Sequence, residues 1–467
     1  MLRPYRSYTF LFIYFIYVSK WDEYNVLHDI IERIISVMIK IKKTNFGFER
    51  EPLAAPFGFK GKYSVEAWQA VVHLESDTGN ESIGLANYGV LWSDECVFAE
   101  NGETAGNGMM FLMMAYALRK AQGMSFETPT DLLDQLLPDT YEYGKIITGN
   151  RNLKLTFALN ALVAVDNAAW ALYAKENLIT DFDGIVPAYS KAVLSCRHGE
   201  LANIPLISYG LSTEQIKEIM NEGYFFLKVK IGNDPEKDGD PEKMLAWDKQ
   251  RLTDIHHIVG DRKIPYSKNG LIPYYLDANG RYPSKEYLLR LIDHADKIGA
   301  LERIMLIEEP FREEYKADVS DIPVRLASDE SAHSDKEALE RIQMGYGAIA
   351  LKPIAKTMSM SFRIAKTAYD NHIPCFCADL TVNPVVLDWN KNVAARLAPL
   401  PGMNIGVIES NGNQNYKNWE VMKSYHPCYG SKWIEPEKGL YKLDDDFYRL
   451  SGGIFKTSRH YESLVKI

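Results

Sequence analysis

From Ile204 to Ser410, short apolar runs alternate with amphipathic helical stretches, and this alternation restricts the fold more than any other feature. The eight runs are IPLISYG, YFFLKVKIG, LIPYYLDANG, RIMLIEEP, VRLASDES, AIALKP, IPCFCADL and MNIGVIES. The helical pattern Ser284 to Ile298 between two of them places Leu288, Leu291, Ile292 and Ala295 on one side. Two further helices open with capping boxes, Ser212 with Gln215 and Ser334 with Glu337, which satisfy free backbone donors. Strands separated by helices pair in parallel. An open doubly wound sheet also gives this alternation, but no glycine fingerprint follows the first strand. A closed α/β barrel is the economical arrangement.

Upstream of the barrel the pattern differs. Short strands and turns run from Met38 to about Trp92 (MIKIKKTNFGF, SVEAWQAVVHLES, ESIGLANYG), followed by a helical period from Asn107 to about Lys175. The expected division is an N-terminal extension over 1–37, an α+β domain over 38–185, the barrel over 186–412 and a C-terminal segment over 413–467. Within the extension, Tyr8 to Val18 is an aromatic-apolar run behind Arg3 and Arg6. It is too short to span a bilayer comfortably, and no small-residue cleavage site follows. The extension reads as sequence upstream of a start at Met38, and the protein as cytoplasmic, with no membrane partner. A net charge of -9 argues against nucleic acid, because phosphate binding needs a concentrated basic surface. Five scattered cysteines favour a reducing compartment, and the Cys375/Cys377 pair reads as strand packing because no second Cys/His pair lies at ligand spacing.

Five consecutive runs end in ionisable residues: Lys228 and Lys230, then Asp277, Glu308, Asp329 and Lys352. The C-terminal strand ends of such a barrel meet at one mouth, so these residues converge there. Three carboxylates held together repel and are forced partly protonated unless a cation joins them. An oxygen-only set suits Mg2+ or Mn2+. Lys228 and Lys230 share one face of their strand, and their mutual repulsion is expected to lower the pKa of one of them toward that of a neutral base. Lys352 arrives from the far side of the carboxylates, which brackets a substrate between two proton carriers.

KVK, DANG, IEEP, SDES and LKP, in this order at successive strand ends, resemble the muconate-lactonizing-enzyme subgroup of the enolase superfamily over residues 38–412. The resemblance implies a modified TIM barrel, (β/α)7β, capped by the N-terminal α+β domain and the C-terminal segment. It implies Asp277, Glu308 and Asp329 as metal ligands, Lys230 as catalytic base, Lys228 as its electrostatic partner and Lys352 as the second acid/base. The implied chemistry is Mg2+-dependent removal of the proton next to a substrate carboxylate through an enolate, as is general for this superfamily. A homo-oligomer is also implied.

Departures from the family's patterns narrow the reading. His372 precedes its strand and does not fit the histidine of mandelate-racemase-like members. GVIESNGNQNY lacks the Asp-x-Asp with which dipeptide epimerases grip a substrate ammonium. Asp379 and Glu409 fall at the mouth, where each either meets a cationic substrate group or pairs with a neighbouring lysine. The loop AAPFGFKGKY falls where the cap folds over the site, so Phe57, Phe59 and Lys60 are candidates for substrate contact, with ordinary packing as the competing reading. The expected activity is a racemase or epimerase acting on an amino-acid derivative or related small carboxylate. The alternatives are a β-eliminating lyase, resembling a dehydratase or o-succinylbenzoate synthase, and a barrel that binds metal and carboxylate without catalysis.

Overall fold

The computed structural model describes residues 38–466, so the run Tyr8 to Val18 and the reading of 1–37 as an extension lie outside the described residues. Strands β1 (Ile39–Phe59), β2 (Lys62–Ser76), β3 (Glu81–Tyr88) and β4 (Ser125–Phe126) form an antiparallel sheet in the order β3-β2-β1-β4. The segment AAPFGFKGKY is no loop. Its first part extends β1, pairing Phe57 with Ser64 and Phe59 with Lys62, and the chain turns at Lys60 and Gly61, both at positive φ. Two left-handed residues match the twist of a tight hairpin. The ladder breaks between Pro52 and Phe57. Pro52 and Pro56, which lack N–H donors, make this stretch read as a loop.

Three helices cover one face of this sheet: Glu95–Ala121, Pro129–Thr148 and Leu155–Glu176. The first begins earlier than the apolar period suggests, because Asp94 accepts hydrogen bonds from the amides of Cys96 and Val97 and so starts it; a kink follows at Gly102. Leu155–Glu176 is long and apolar enough to cross a membrane, yet it lies buried against β3. Its approach is close. A Cβ on Gly84 of β3 would lie 2.0 Å from the Ala164 carbonyl oxygen and 2.3 Å from the Ala168 nitrogen. Ser82 and Asn167 bond across the same contact, Ser82 Oγ to the Ala168 carbonyl and Asn167 Nδ2 to the Leu85 carbonyl.

The second sheet is the expected barrel. In chain order its strands are β5 (Glu200–Ile204), β6 (Leu206–Ile207), β7 (Leu227–Lys230), β8 (Tyr274–Asp277), β9 (Ile304–Glu308), β10 (Leu326–Ser328), β11 (Ala348–Leu351), β12 (Cys375–Cys377), β13 (Gly406–Glu409) and β14 (Leu440–Lys442). Strands β6 to β13 pair in parallel, each with the next. The ring closes through one run interrupted at Pro205: β5 pairs with β13 on one side and β6 with β7 on the other. Lys228 donates its amide to the Pro205 carbonyl at 3.1 Å, so the junction itself carries a rung. β14 adds to β5 antiparallel. Both capping boxes form, at Ser212/Gln215 and Ser334/Glu337.

A buried polar network ties the first sheet to the loops at the barrel mouth. Gln69 Nε2 donates to Asn87 Oδ1 and Asn383 Nδ2 to Gln69 Oε1, while Asn87 Nδ2 reaches the Leu380 carbonyl. Asp166, on the central cap helix, accepts the amides of Met358 and Ser359. The cap is thereby fixed over the strand ends.

The Gly84 contact is against backbone, which cannot rotate away as a side chain can. Gly84→Val is expected to destabilise the protein by about 3 kcal/mol or more, because overpacking here must part a strand from a helix. Denaturant unfolding of the variant checks this; an unchanged midpoint would contradict the packing described.

Candidate active site

The strand-end charges meet in one cavity at the barrel mouth. Its floor holds Lys228, Lys230, Asp277, Glu308, Asp329, Glu330, Lys352, Asp379 and Glu409. Strand register brings three of these abreast: Lys230 pairs with Asp277, and Asp277 with Glu308. Its walls come from the cap, with Leu53, Phe57 and Phe59 of β1 and Leu91 and Trp92 of the short helix Val90–Ser93, facing Leu380 from the barrel.

All the floor groups are withdrawn from water; Lys230 is only 4% exposed and Glu308 0%. Burial of an isolated charge costs several kcal/mol, so each must find a partner. Lys228 is the hub, with its Nζ 3.0 Å from carboxylate oxygens of each of Asp277, Glu308 and Glu409. Lys230 Nζ donates to Asp277 at 2.6 Å and to Asn279 Oδ1. Lys352 is bonded to Asp329 and lies 4.4 Å over the Trp92 ring. A fourth lysine, Lys356, donates to the Asp329 carbonyl at 2.6 Å and stands 3.3 Å from its carboxylate.

These neighbours decide the protonation states. Burial acts to lower the Lys228 pKa, but Asp277, Glu308 and Glu409 outweigh it and hold the amine well above its ordinary value. Three anions surround Lys228, so their charge sets its state. Burial likewise acts to raise Asp277, but Lys228 and Lys230 prevail and bring it down to about 2. Glu308 goes the other way, pushed up to about 8 by burial and the Asp329 charge despite Lys228. Lys356 is lowered, mainly by burial.

In IEEP the two glutamates separate cleanly. Glu308 ends β9 facing the cavity, whereas Glu309 takes a positive φ of 40° and turns away. There its Oε2 accepts the amide of Asp329 at 2.8 Å, fixing the backbone of the SDES turn.

The residues present fit a hard divalent cation. Glu308, Asp329 and Glu330 bring carboxylate oxygens within 4.8 Å of one another. Glu308 Oε1 and Glu330 Oε2 are buried with no hydrogen-bond or ion-pair partner, whereas Glu308 Oε2 and Asp329 Oδ1 have only ion-pair contacts, with Lys228 and Lys356. Unpartnered buried oxygens are costly unless an ion takes them. Asp277 lies outside this triplet, turned to Lys228 and Lys230. With all six carboxylates of the floor ionised, they would exceed its three lysines and the adjoining Lys356 by two charges, which a divalent ion would cancel.

The weaker candidates divide. Phe57 and Phe59 line the cavity, and the Lys230 ammonium sits 5.3 Å over the Phe59 ring. Lys60 instead faces a neighbouring cavity and stands 3.5 Å from Glu95. Glu409 is committed to Lys228. Asp379 accepts the Asn411 amide at 2.9 Å, and burial together with the Glu409 charge raises it to about 6. His372 is exposed in the turn before β12. Cys375 and Cys377 are buried and unpaired.

Sequence reasoning missed Trp92, Asn279, Glu330 and Lys356. Asn279 and Glu330 stand in the motifs DANG and SDES, immediately beyond the ionisable residues that drew notice. Lys356 follows Lys352 by one helical turn. Trp92 had no signal, since only the fold brings its cap helix to the mouth.

No protein-family model matches the chain, and no curated protein matches it. Solved structures do. A dipeptide epimerase from Enterococcus faecalis V583, complexed with Mg and L-Leu-L-Tyr, aligns over 87% of this chain and 97% of its own, with 17% identity and a TM-score of 0.61. An N-succinyl Arg/Lys racemase from Bacillus cereus ATCC 14579 aligns over 92% and 98%, with 15% identity and a TM-score of 0.60. An enolase-superfamily member from Enterococcus faecalis V583, described as unknown, aligns over 92% and 99%, with 17% identity and a TM-score of 0.56. The barrel closed at Pro205 with an α+β cap over its mouth is the fold of the enolase superfamily.

Proposed function

We propose that this protein is a racemase or epimerase that removes and returns the proton next to the carboxylate of a small substrate, most simply an amino-acid derivative. The observation that carries the reading is the placement of Lys230 and Lys352. Lys230 ends β7 and Lys352 immediately follows β11, on either side of the strands that bring Asp277, Glu308 and Asp329, and they line the same cavity. Two amines flanking one substrate position are what transfer to and from opposite faces of a carbon requires. Racemases and epimerases among the structural neighbours support it.

Asp277, Glu308 and Asp329 would hold Mg2+ (or Mn2+), with Glu330 close by. When bound, the cation supplies the charge that makes a proton next to a carboxylate removable, by stabilising the resulting ene-diolate. The chain's own residues do the rest. Lys230 takes the proton on one face, and Lys352 delivers one on the other. Lys228, kept cationic by its three carboxylates, adds fixed positive charge beside the reacting group. Phe57, Phe59, Leu91 and Trp92 exclude water, so these charges act at low dielectric.

The same walls bear on the substrate. The faces of Trp92 and Phe59 are already occupied by Lys352 and Lys230. Glu409 and Asp379 are committed to internal bonds, and the stretch GVIESNGNQNY carries no Asp-x-Asp to provide two acidic groups. A free α-ammonium would meet the Lys230 and Lys352 ammonium groups, and neither Glu409 nor Asp379 is free to receive it. An acylated or otherwise uncharged substituent suits the cavity.

Two outcomes follow. Because Glu308 rises to about 8 without a cation, metal binding must expel its proton at neutral pH. Mn2+ affinity is therefore expected to climb by up to about tenfold per pH unit below pH 8 and then level off. Calorimetry in buffers of different ionisation enthalpy reads the released proton, and its absence would remove the ligand role of Glu308. Proton NMR in D2O of N-acylated amino acids and related carboxylates, with Mg2+, tests the chemistry itself. Loss of an α-proton signal is expected, with inversion, and Lys230→Ala and Lys352→Ala are each expected to lower the rate by at least about 100-fold. A vinylic product would replace the racemase reading by a β-eliminating lyase; no exchange across the set, with metal still bound, would favour binding alone.

A further inference from the structure

Asn279 has no role above and Glu330 has been placed only beside the cation site, although both line the main cavity and the neighbouring one, forming the wall between them. Asn279 holds three bonds at once. Its backbone amide donates to Asp277 Oδ1 at 3.1 Å, its Oδ1 accepts from Lys230 Nζ, and its Nδ2 donates to Glu330 Oε1 at 3.0 Å. It sits at a φ of 44°, a left-handed conformation that asparagine tolerates better than most residues. Glu330 is buried, and its second oxygen has no hydrogen-bond partner.

Resting on the proposed reaction, we infer that Glu330 and Asn279 are positioning residues that aim the lone pair of the Lys230 amine. A neutral lysine amine carries two N–H bonds and one lone pair. The acceptors on Lys230 are Asp277 and Asn279, two in number, so both N–H bonds are taken and the lone pair is left in the one remaining direction. This works only if Asn279 presents its oxygen. An asparagine amide turned end for end would offer N–H groups to the amine and claim the lone pair instead. Glu330 prevents that, because its Oε1 accepts from Nδ2 and so holds the amide with its oxygen toward Lys230. The chain Glu330–Asn279–Lys230 has no counterpart at Lys352, which is held by Asp329 and Trp92.

The asymmetry provides the test. Glu330→Leu frees the amide to turn and should impair only the proton transfer made by Lys230. Deuterium exchange is measured separately for each enantiomer of a substrate, taking as reference the enantiomer whose exchange Lys230→Ala abolishes. Exchange of that enantiomer is expected to fall on the order of 10- to 100-fold, in kcat and not in KM, with the other enantiomer little changed. Glu330→Gln, which keeps an acceptor oxygen, is expected to recover most of the loss. Mn2+ affinity by calorimetry is expected to stay where it was. An equal loss for both enantiomers, or no loss, overturns the inference, and a loss of Mn2+ affinity would make Glu330 a ligand instead. A crystal structure of Glu330→Leu needs no substrate and so separates this inference from the proposed reaction. The Lys230 amine is expected to move from Asn279 by about 1 Å or more, a displacement large enough to matter for reactivity. An unmoved amine with Asn279 in place overturns it.

Discussion

The structure depends on keeping a dense set of opposite charges together out of water. Lys228 is the centre of that set, with three carboxylates at 3.0 Å. Low dielectric strengthens each attraction and also each repulsion, so the arrangement holds only if every group is rigidly placed. A barrel provides this, because each strand end is fixed by hydrogen bonds to two neighbours. The closure at Pro205 matters for the same reason. It joins the strand bearing Lys228 to the ring and so fixes the hub relative to Glu409 on the last barrel strand.

The cap completes the environment. Without the β1–β2 hairpin and the helix Val90–Ser93, the lysines and carboxylates would stand in water and their mutual influence would be screened. The hairpin reaches the mouth because β1 is 21 residues long, and it stays there because Gln69, Asn87 and Asn383 bond across to the barrel loops. Packing distant from the chemistry, such as that of Gly84 against the central cap helix, thereby bears on the field within the site.

Much of this was legible in the sequence, for a physical reason. An apolar strand that ends in a charge has few places to put it, and five such strands in a row point to one mouth. The alternation of runs gave the barrel without any knowledge of pairing. What depended on tertiary contact was less visible. Pro52 and Pro56 suggested a loop where β1 continues, since pairing with β2 overrides local preference. Which glutamate of IEEP faces the cavity is set by the positive φ of Glu309, a backbone state that the side-chain pattern does not encode. The lysine pair was expected to tune itself by repulsion, a reading that weighed neighbours in sequence and did not bring Glu409 of the last barrel strand to Lys228. Trp92 was invisible because its contact with Lys352 crosses from cap to barrel.

The three lysines of the cavity are chemically alike, so their division of labour must come from their surroundings. Lys228 faces three carboxylates, and no modest change of pH removes its proton; it can act as fixed charge and not as a base. Lys230 faces one carboxylate and one neutral amide, which restrains its two N–H bonds with half the anionic charge that two carboxylates would bring. Lys352 shares the carboxylate of Asp329 with Lys356, so the anion that holds it is divided between two cations. The three carboxylates at 3.0 Å thus single out Lys228 as fixed charge, whereas Lys230 and Lys352 each hydrogen-bond one carboxylate. Moving a single carboxylate from Lys228 to Lys230 would keep the composition of the site and leave two beside each amine, which erases that distinction.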